Sequence, residues 1–365
     1  MARWLAGIVA GGLMAVAFAN AQARQPFKLG TFERTGRPFV GVVLNDRQVI
    51  DLAAAHAAIR TPASTIAPPT DMKDLIARYD RGVRDRIQVI VSSVVAAATR
   101  PAYVYDLAAV KTLPPIMYPG KMVNVALNYR EHALEMAGLN SGPPALQAGA
   151  PPPGAATPTT KSAPGIWERS ATDTRWNPYM FLKSPSAVIA NGEAIRLPAG
   201  RDQIDWECEL GVVIGRTAAR VPLAQASQYI FGYTIENDVS DRGGRGDERY
   251  GSDWLIGKSH DTFAPMGPFI VPKEFVADPR KLVVTFTLNG QKMQDATTAL
   301  MIHDVFDQVM YASNILTLQA GDVIATGSPA GVGSARTPPI FFKPGDVSVC
   351  TYEGIGTLTN PVVGP

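Results

Sequence analysis

The hydrophobic pattern changes period several times along the chain. Leu5 to Phe18 is an almost uninterrupted apolar run, led by Arg3 and followed by the small-residue sites Ala19-Asn20-Ala21 and Ala21-Gln22-Ala23. This is the layout of a cleaved secretory signal, and the run is shorter than the roughly 20 residues of a spanning helix. Residues 1–23 are therefore expected to be removed. The mature protein would begin near Arg24, periplasmic or secreted, with no membrane association after cleavage.

Beyond it, Phe39 to Leu44 and Gln48 to Leu52 flank Asn45-Asp46-Arg47 and predict a β-hairpin. Leu75, Ile76 and Tyr79 recur at helical spacing from about Asp71, and Ile87 to Ala98 continues the helical texture. A small α+β N-terminal domain, residues 24–115, is expected to end near Leu113-Pro114-Pro115. From Met117 the pattern shortens to β runs: Val123 to Leu127, Glu207 to Ile214, Val283 to Leu288 before the turn Asn289-Gly290, Ile324 to Thr326, and Val347 to Tyr352. One helix, roughly Ile302 to Ile315, interrupts them. Many short strands with few helices predict an α+β, β-rich domain rolled or sandwiched, not a parallel doubly wound sheet. Residues 140–177 are Pro-rich, with Pro151-Pro152-Pro153-Gly154 at their centre, and predict a lid or a disordered linker.

Composition narrows the partners. Of 365 residues 46% are hydrophobic, enough for a large core, and 34 basic residues nearly cancel 32 acidic ones. That balance gives no electrostatic case for nucleic acid or an anionic membrane surface, and a small molecule is the expected partner. Export would place the two cysteines, Cys208 and Cys350, in an oxidising compartment. A bridge needs their strands to be neighbours; two buried, unpaired thiols are the expectation.

Three places carry candidate chemistry. On a strand, Glu207 and Glu209 share one face, with Trp206, Cys208 and Leu210 on the other. Adjacent carboxylates raise each other's pKa unless a cation sits between them, and oxygen donors favour Mg²⁺, Mn²⁺ or Ca²⁺ over Zn²⁺. The segment alone better fits a solvated polar face on an edge strand. Asn128 and Glu131 resemble a capping box, opening a helix of about nine residues that closes at Gly138. His132 and Glu135 are i, i+3 neighbours on it, and a His oriented by a carboxylate can serve as a general base or as half of a surface ion pair. The Gly-rich turn Ala325 to Gly333 is neither a P-loop nor a dinucleotide fingerprint.

Taken in order, the segments LNYREHALE, FLKSPSAVI, DWECELGVVIG, GYTIENDVSDR, GKSHDTFAPMGP, LTLQAGDVIATGSPAGVG and YEGIGTLTNPV resemble the fumarylacetoacetate hydrolase superfamily, in its acylpyruvase or fumarylpyruvate hydrolase-like branch. The resemblance runs from about Met117 to the C-terminus. It implies a mixed β-roll catalytic domain over residues 116–365 and a homodimer. It implies that Glu207, Glu209 and Asp238 hold Mg²⁺ or Mn²⁺, with Ca²⁺ a third candidate. It further implies catalytic roles for His132, Glu135 and Lys258, and places Arg242 and Ser328 facing a keto-acid substrate. Asp241 and Gly243 depart from the family's SARD pattern, His260 stands where Phe is commoner, and the Pro-rich insertion is long. The implied reaction is hydrolysis of a C–C bond in a β-diketo acid such as an acylpyruvate. Decarboxylation of oxaloacetate-like acids, isomerisation of a hydroxymuconate-type diene, and a non-catalytic periplasmic binding protein are the alternatives.

Overall fold

Asn45 and Asp46 both take positive φ, 52° and 54°, and turn the strand Arg37–Leu44 back on Gln48–Asp51, with Val42 opposite Ile50. This computed structural model describes residues 25–61, 65–138, 163, 165–168, 170, 172–173, 175–244 and 252–365. The signal peptide expected at 1–23 and most of the Pro-rich insertion expected at 140–177 lie outside the described residues. Asp71 caps the helix Met72–Arg78 by accepting from the Asp74 N–H at 2.8 Å, and the helix Val83–Val95 follows.

The fold is α+β and sheet-rich. A 12-stranded sheet runs from edge to edge as Val104–Asp106, Gln48–Asp51, Arg37–Leu44, Lys28–Arg34, Ala264–Pro272, Ile230–Asn237, Cys208–Ile214, Val323–Ala325, Met122–Ala126 and Tyr179–Lys183. Lys111–Leu113 and Val188–Ile189 pair to its side. The strand Lys28–Arg34 was not legible as a strand from the sequence, yet it joins the N-terminal hairpin to the rest through Leu29 opposite Ile270. Across the boundary expected at residue 115 both the sheet and the core continue: Leu75, Ile76, Ile87 and Ile90 pack with Val213, Phe231 and Ile270. A second sheet of five strands runs Gln291–Thr297, Val283–Leu288, Val347–Tyr352, Gly356–Val363 and Ile195–Arg196.

The two sheets meet over the alternate residues of one strand. Trp206, Cys208, Leu210 and Val212 share a core with Val284, Phe286, Cys350, Tyr352 and Leu358, and the Trp206 and Phe286 rings stack at 5.4 Å. Here the expectation of two unpaired thiols fails, because Cys208 and Cys350 form a disulfide. Alternation along Cys208–Ile214 turns the Cys208 side chain toward the second sheet. Cys350 lies opposite on Val347–Tyr352, with the Cα atoms 5.6 Å apart.

Two helix starts also differ from expectation. Asn128 does not cap the helix Arg130–Gly138. Its buried amide donates to the carbonyls of His303 (2.9 Å) and Thr326 (2.7 Å) and accepts from the His303 N–H, satisfying groups that would otherwise be buried unpaired. The second helix begins at Val305, not Ile302, because Asp304 and Asp307 build a capping box there. Past the insertion, Trp167 packs on His303 and Tyr311, and Arg175 pairs with Asp307 at 2.8 Å.

The bridge closes a separation of 142 residues, which constrains the unfolded chain strongly. The variant C208A/C350A is expected to lose about 2–5 kcal/mol of unfolding free energy, read from urea midpoints. A loss below about 0.5 kcal/mol would show that the bridge contributes nothing to stability.

Candidate metal centre and active site

Period-two alternation carries Asp205, Glu207 and Glu209 to one side of their segment, away from Trp206 and Cys208. The strand is not at an edge. It lies between Ile230–Asn237 and Val323–Ala325, and all seven of its residues are buried. The neighbouring strand delivers the third carboxylate. Asn237 accepts from the Glu207 N–H at 3.0 Å, and the next N–H, that of Asp238, donates to the Glu207 carbonyl at 2.8 Å. The carboxylates of Glu207, Glu209 and Asp238 thereby come within 4.8 Å of one another. Their exposures are 6%, 0% and 1%.

So much buried negative charge needs compensation, and much of it is visible. Lys258 donates to Glu207 Oε2 at 2.7 Å and to Asp238 Oδ2 at 2.6 Å. Arg242 reaches Glu207 Oε1 and also Asp205 Oδ2, and Lys183 reaches Asp238 Oδ1 at 2.5 Å. Burial alone would raise the Glu207 carboxyl, but Lys258 and Arg242 overcome it and hold it below the usual range. Burial would likewise lower the Lys258 ammonium, and Asp238 and Glu207 reverse that.

Glu209 is the exception. Burial, then Asp238, Glu207 and Glu236, push its carboxyl well above the ordinary value. Oε2 accepts from the Gly327 N–H at 2.8 Å, while Oε1 is buried with no hydrogen-bond partner among the described residues. Behind it Glu236, bonded to Asn124, is pushed up to about 7 by burial and then by Asp238. An unpaired buried carboxylate oxygen among three oxygen-bearing acids fits a hard divalent cation.

The Gly-rich turn is an array of donors. Gly327 holds Glu209, Gly331 donates to both oxygens of Glu135 (2.9 and 3.1 Å), and the Gly333 and Ser334 N–H groups hold Asp205 (2.6 and 3.0 Å). Gly331 has φ of 102°, and a Cβ there would stand 2.1 Å from the Met293 carbonyl, so this approach requires glycine. Glu135 in turn faces His132, Oε2 to Nδ1 at 3.4 Å, a long hydrogen bond. His132 is buried.

Seven of the eight residues singled out in the sequence thus gather here. The eighth, Ser328, is buried beside them, with its hydroxyl taken by Gln294 at 2.8 Å and turned to the Pro329 carbonyl. The departures Asp241 and His260 meet one another. Asp241 Oδ2 lies 3.2 Å from His260 Nε2 and accepts from Arg201 at 2.5 Å, while Oδ1 accepts from the Gly243 N–H. Sequence reasoning missed Asp205, Lys183 and Glu236. Asp205 was within reach, since the alternation that pairs Glu207 with Glu209 extends to it.

The sequence model of the family described as "Fumarylacetoacetate (FAA) hydrolase C-terminal" matches residues 121–363. Oxaloacetate tautomerase YisK of Bacillus subtilis (strain 168) is 32% identical over 337 residues, which is 92% of this chain and 99% of that protein. The solved structure of a fumarylacetoacetate hydrolase from psychrophilic Exiguobacterium antarcticum has a TM-score of 0.67 at 28% identity, covering 93% of this chain and 100% of the other. Maleylpyruvate hydrolase from Sphingobium sp. SYK-6, solved with manganese(II) and pyruvate, has a TM-score of 0.64 at 26% identity over 92% of this chain and 99% of that one.

A raised carboxyl favours the metal-free fold below its unfolded value near 4.5, and that contribution is lost as pH rises through the raised value. A cation must displace the same proton, so the rise in Tm caused by Mn²⁺ is expected to be larger at pH 8 than at pH 5.5. Glu209→Gln removes the stressed charge. It is expected to abolish the Mn²⁺ shift while costing the metal-free protein less than about 1 kcal/mol, both read by thermal unfolding.

Proposed function

Because the chain belongs to the fumarylacetoacetate hydrolase family, we propose that it is a divalent-metal-dependent enzyme that interconverts keto and enol forms of a small 2-oxo dicarboxylic acid such as oxaloacetate. The observation that carries this reading is the hydrogen-bonded chain Gly331–Glu135–His132, anchored on the same turn whose Gly327 N–H holds Glu209. It holds one proton-transfer group in a fixed orientation against a carboxylate cluster. Tautomerisation needs only that: one proton leaves carbon, one reaches oxygen, and no atom is added.

When bound, a divalent cation would supply Lewis-acid polarisation of the substrate's oxygens. Glu207, Glu209 and Asp238 would hold it. The protein's own groups do the rest. Glu135 accepts from Nδ1–H of His132, which leaves Nε2 as the base that takes the proton from the carbon α to the carbonyl in enolisation. The enolate oxygen is protonated from solvent, and in ketonisation both transfers reverse. Lys258, buried, and Arg242, partly buried, fix the Glu207 carboxylate. They also bring positive charge to where the enolate oxygen and a substrate carboxylate would lie. The near full-length likeness to an oxaloacetate tautomerase supports the substrate class.

Hydrolysis of an acylpyruvate C–C bond is the second reading, favoured by the same His132–Glu135 pair acting on water and by the likeness to a maleylpyruvate hydrolase. Export to an oxidising compartment forms part of the proposal, and the Cys208–Cys350 disulfide supports it.

Two assays separate the readings. With Mn²⁺ present, accelerated decay of enol-oxaloacetate absorbance is expected without pyruvate release, and pyruvate release from an acylpyruvate panel would favour hydrolysis. His132→Gln is expected to lower kcat by about 10²–10⁴-fold with KM changed only a few-fold. Unchanged turnover in that variant would remove His132 from the mechanism.

A further inference from the structure

We propose that the Cys208–Cys350 disulfide is a positioning element of the metal centre, so that divalent-cation affinity depends on oxidative folding. The inference rests on the metal reading above. Cys208 stands between Glu207 and Glu209, and alternation turns its side chain opposite to theirs. Whatever fixes Cys208 from behind therefore sets the depth and tilt of both carboxylates in front.

The second sheet grips this point in four ways. Cys350 bonds it covalently, Gln294 accepts from the Cys208 N–H at 3.2 Å, Tyr352 donates to the Cys208 carbonyl at 3.5 Å, and Phe286 stacks on Trp206. The hydrogen bonds are long and can yield; the sulfur bridge cannot. Gln294 also donates to Ser328 Oγ and to the Pro329 carbonyl, both at 2.8 Å. The same face thus steadies the turn whose Gly327 N–H holds Glu209. Ligand distances in a metal site tolerate only about 0.2 Å, so a restraint one bond from each ligand residue bears directly on affinity.

Burial decides when this restraint is set. Cys208 and Cys350 are 0% and 1% exposed, so dissolved thiols do not reach the bridge in the folded protein. It is made during folding, not switched afterwards. Two thiols give up two protons and form the S–S bond, and the two electrons pass to the disulfide of an exchange partner, which leaves as a dithiol.

The test compares oxidised wild type with C208A/C350A and the volume-compensated C208V/C350A. Mn²⁺ dissociation constants would come from the electron paramagnetic resonance of free Mn²⁺, and fold and Tm from circular dichroism. Ile90→Val, a core change in the helix Val83–Val95, serves as a destabilised control with both sulfurs intact. The denatured, unreduced wild type is expected to show no free thiol. The disulfide-free variants are expected to keep the far-ultraviolet spectrum yet bind Mn²⁺ at least tenfold more weakly, while Ile90→Val lowers Tm with unchanged affinity. Affinities equal within twofold, or two titratable thiols in the wild type, overturn the inference and leave the metal reading intact. If no disulfide-free form folds, the bridge serves folding as a whole and the positioning role is overturned. Absence of Mn²⁺ binding by the oxidised wild type overturns the metal reading itself, and this inference with it.

Discussion

Glu207, Glu209 and Asp238 are buried within 4.8 Å of one another, and much of the surrounding structure answers that repulsion. Buried like charges survive only where cations and hydrogen-bond donors are fixed around them. Lys258, Lys183 and Arg242 supply the positive charge, each from a different segment. Backbone N–H groups of one turn, 327 to 334, meet Glu209, Glu135 and Asp205, so a single loop orients all three acids. Among the described residues the compensation stops short at Glu209 Oε1, a shortfall whose chemistry suits a divalent cation.

The fold carries this arrangement by placing the ligand strand centrally. A strand at an edge would let water solvate the acids and would leave their pKa values ordinary. With a strand on either side and a second sheet behind, Glu207 and Glu209 have no such escape. The desolvation that makes the site costly without a metal also strengthens every electrostatic contact a substrate would make there. His132 is buried as well, on a helix tied to the Gly-rich turn through Glu135.

What could be read from the sequence followed from local periodicity. Period-two spacing put Glu207 with Glu209, and the hairpins at 45–47 and 289–290 announced themselves by turn residues. Asp238 and Lys258 had no local signature; only the ordered family segments singled them out, because their meeting depends on strand order. The cysteine pairing failed for the same reason, since nothing in the sequence says that Val347–Tyr352 lies behind Cys208. At Asn128 a local rule misled. The residue fits a cap, but buried carbonyls 175 and 198 positions away in sequence claim its amide. Lys28–Arg34 was overlooked because Gly30 and Thr31 dilute its alternation, although Phe32 and Leu29 are both fully buried.

The departures from the family pattern follow a logic of charge. An acid immediately before Arg242 could compete with Glu207 and Asp205 for its guanidinium. Here the short strand Ser240–Asp241 is paired to Ile204–Asp205, and Asp241 is turned away from that contact to be taken by Arg201 and His260. Arg242 is thereby left to bridge Asp205 and Glu207. Gly243 fits the same arrangement, for its N–H donates to Asp241. Asp241, Gly243 and His260 thus form one hydrogen-bonded group beside Arg242. The carboxylate cluster of Glu207, Glu209 and Asp238 and the rim around Asp241 and His260 are thus held by separate sets of contacts, so the rim can vary without disturbing the cluster.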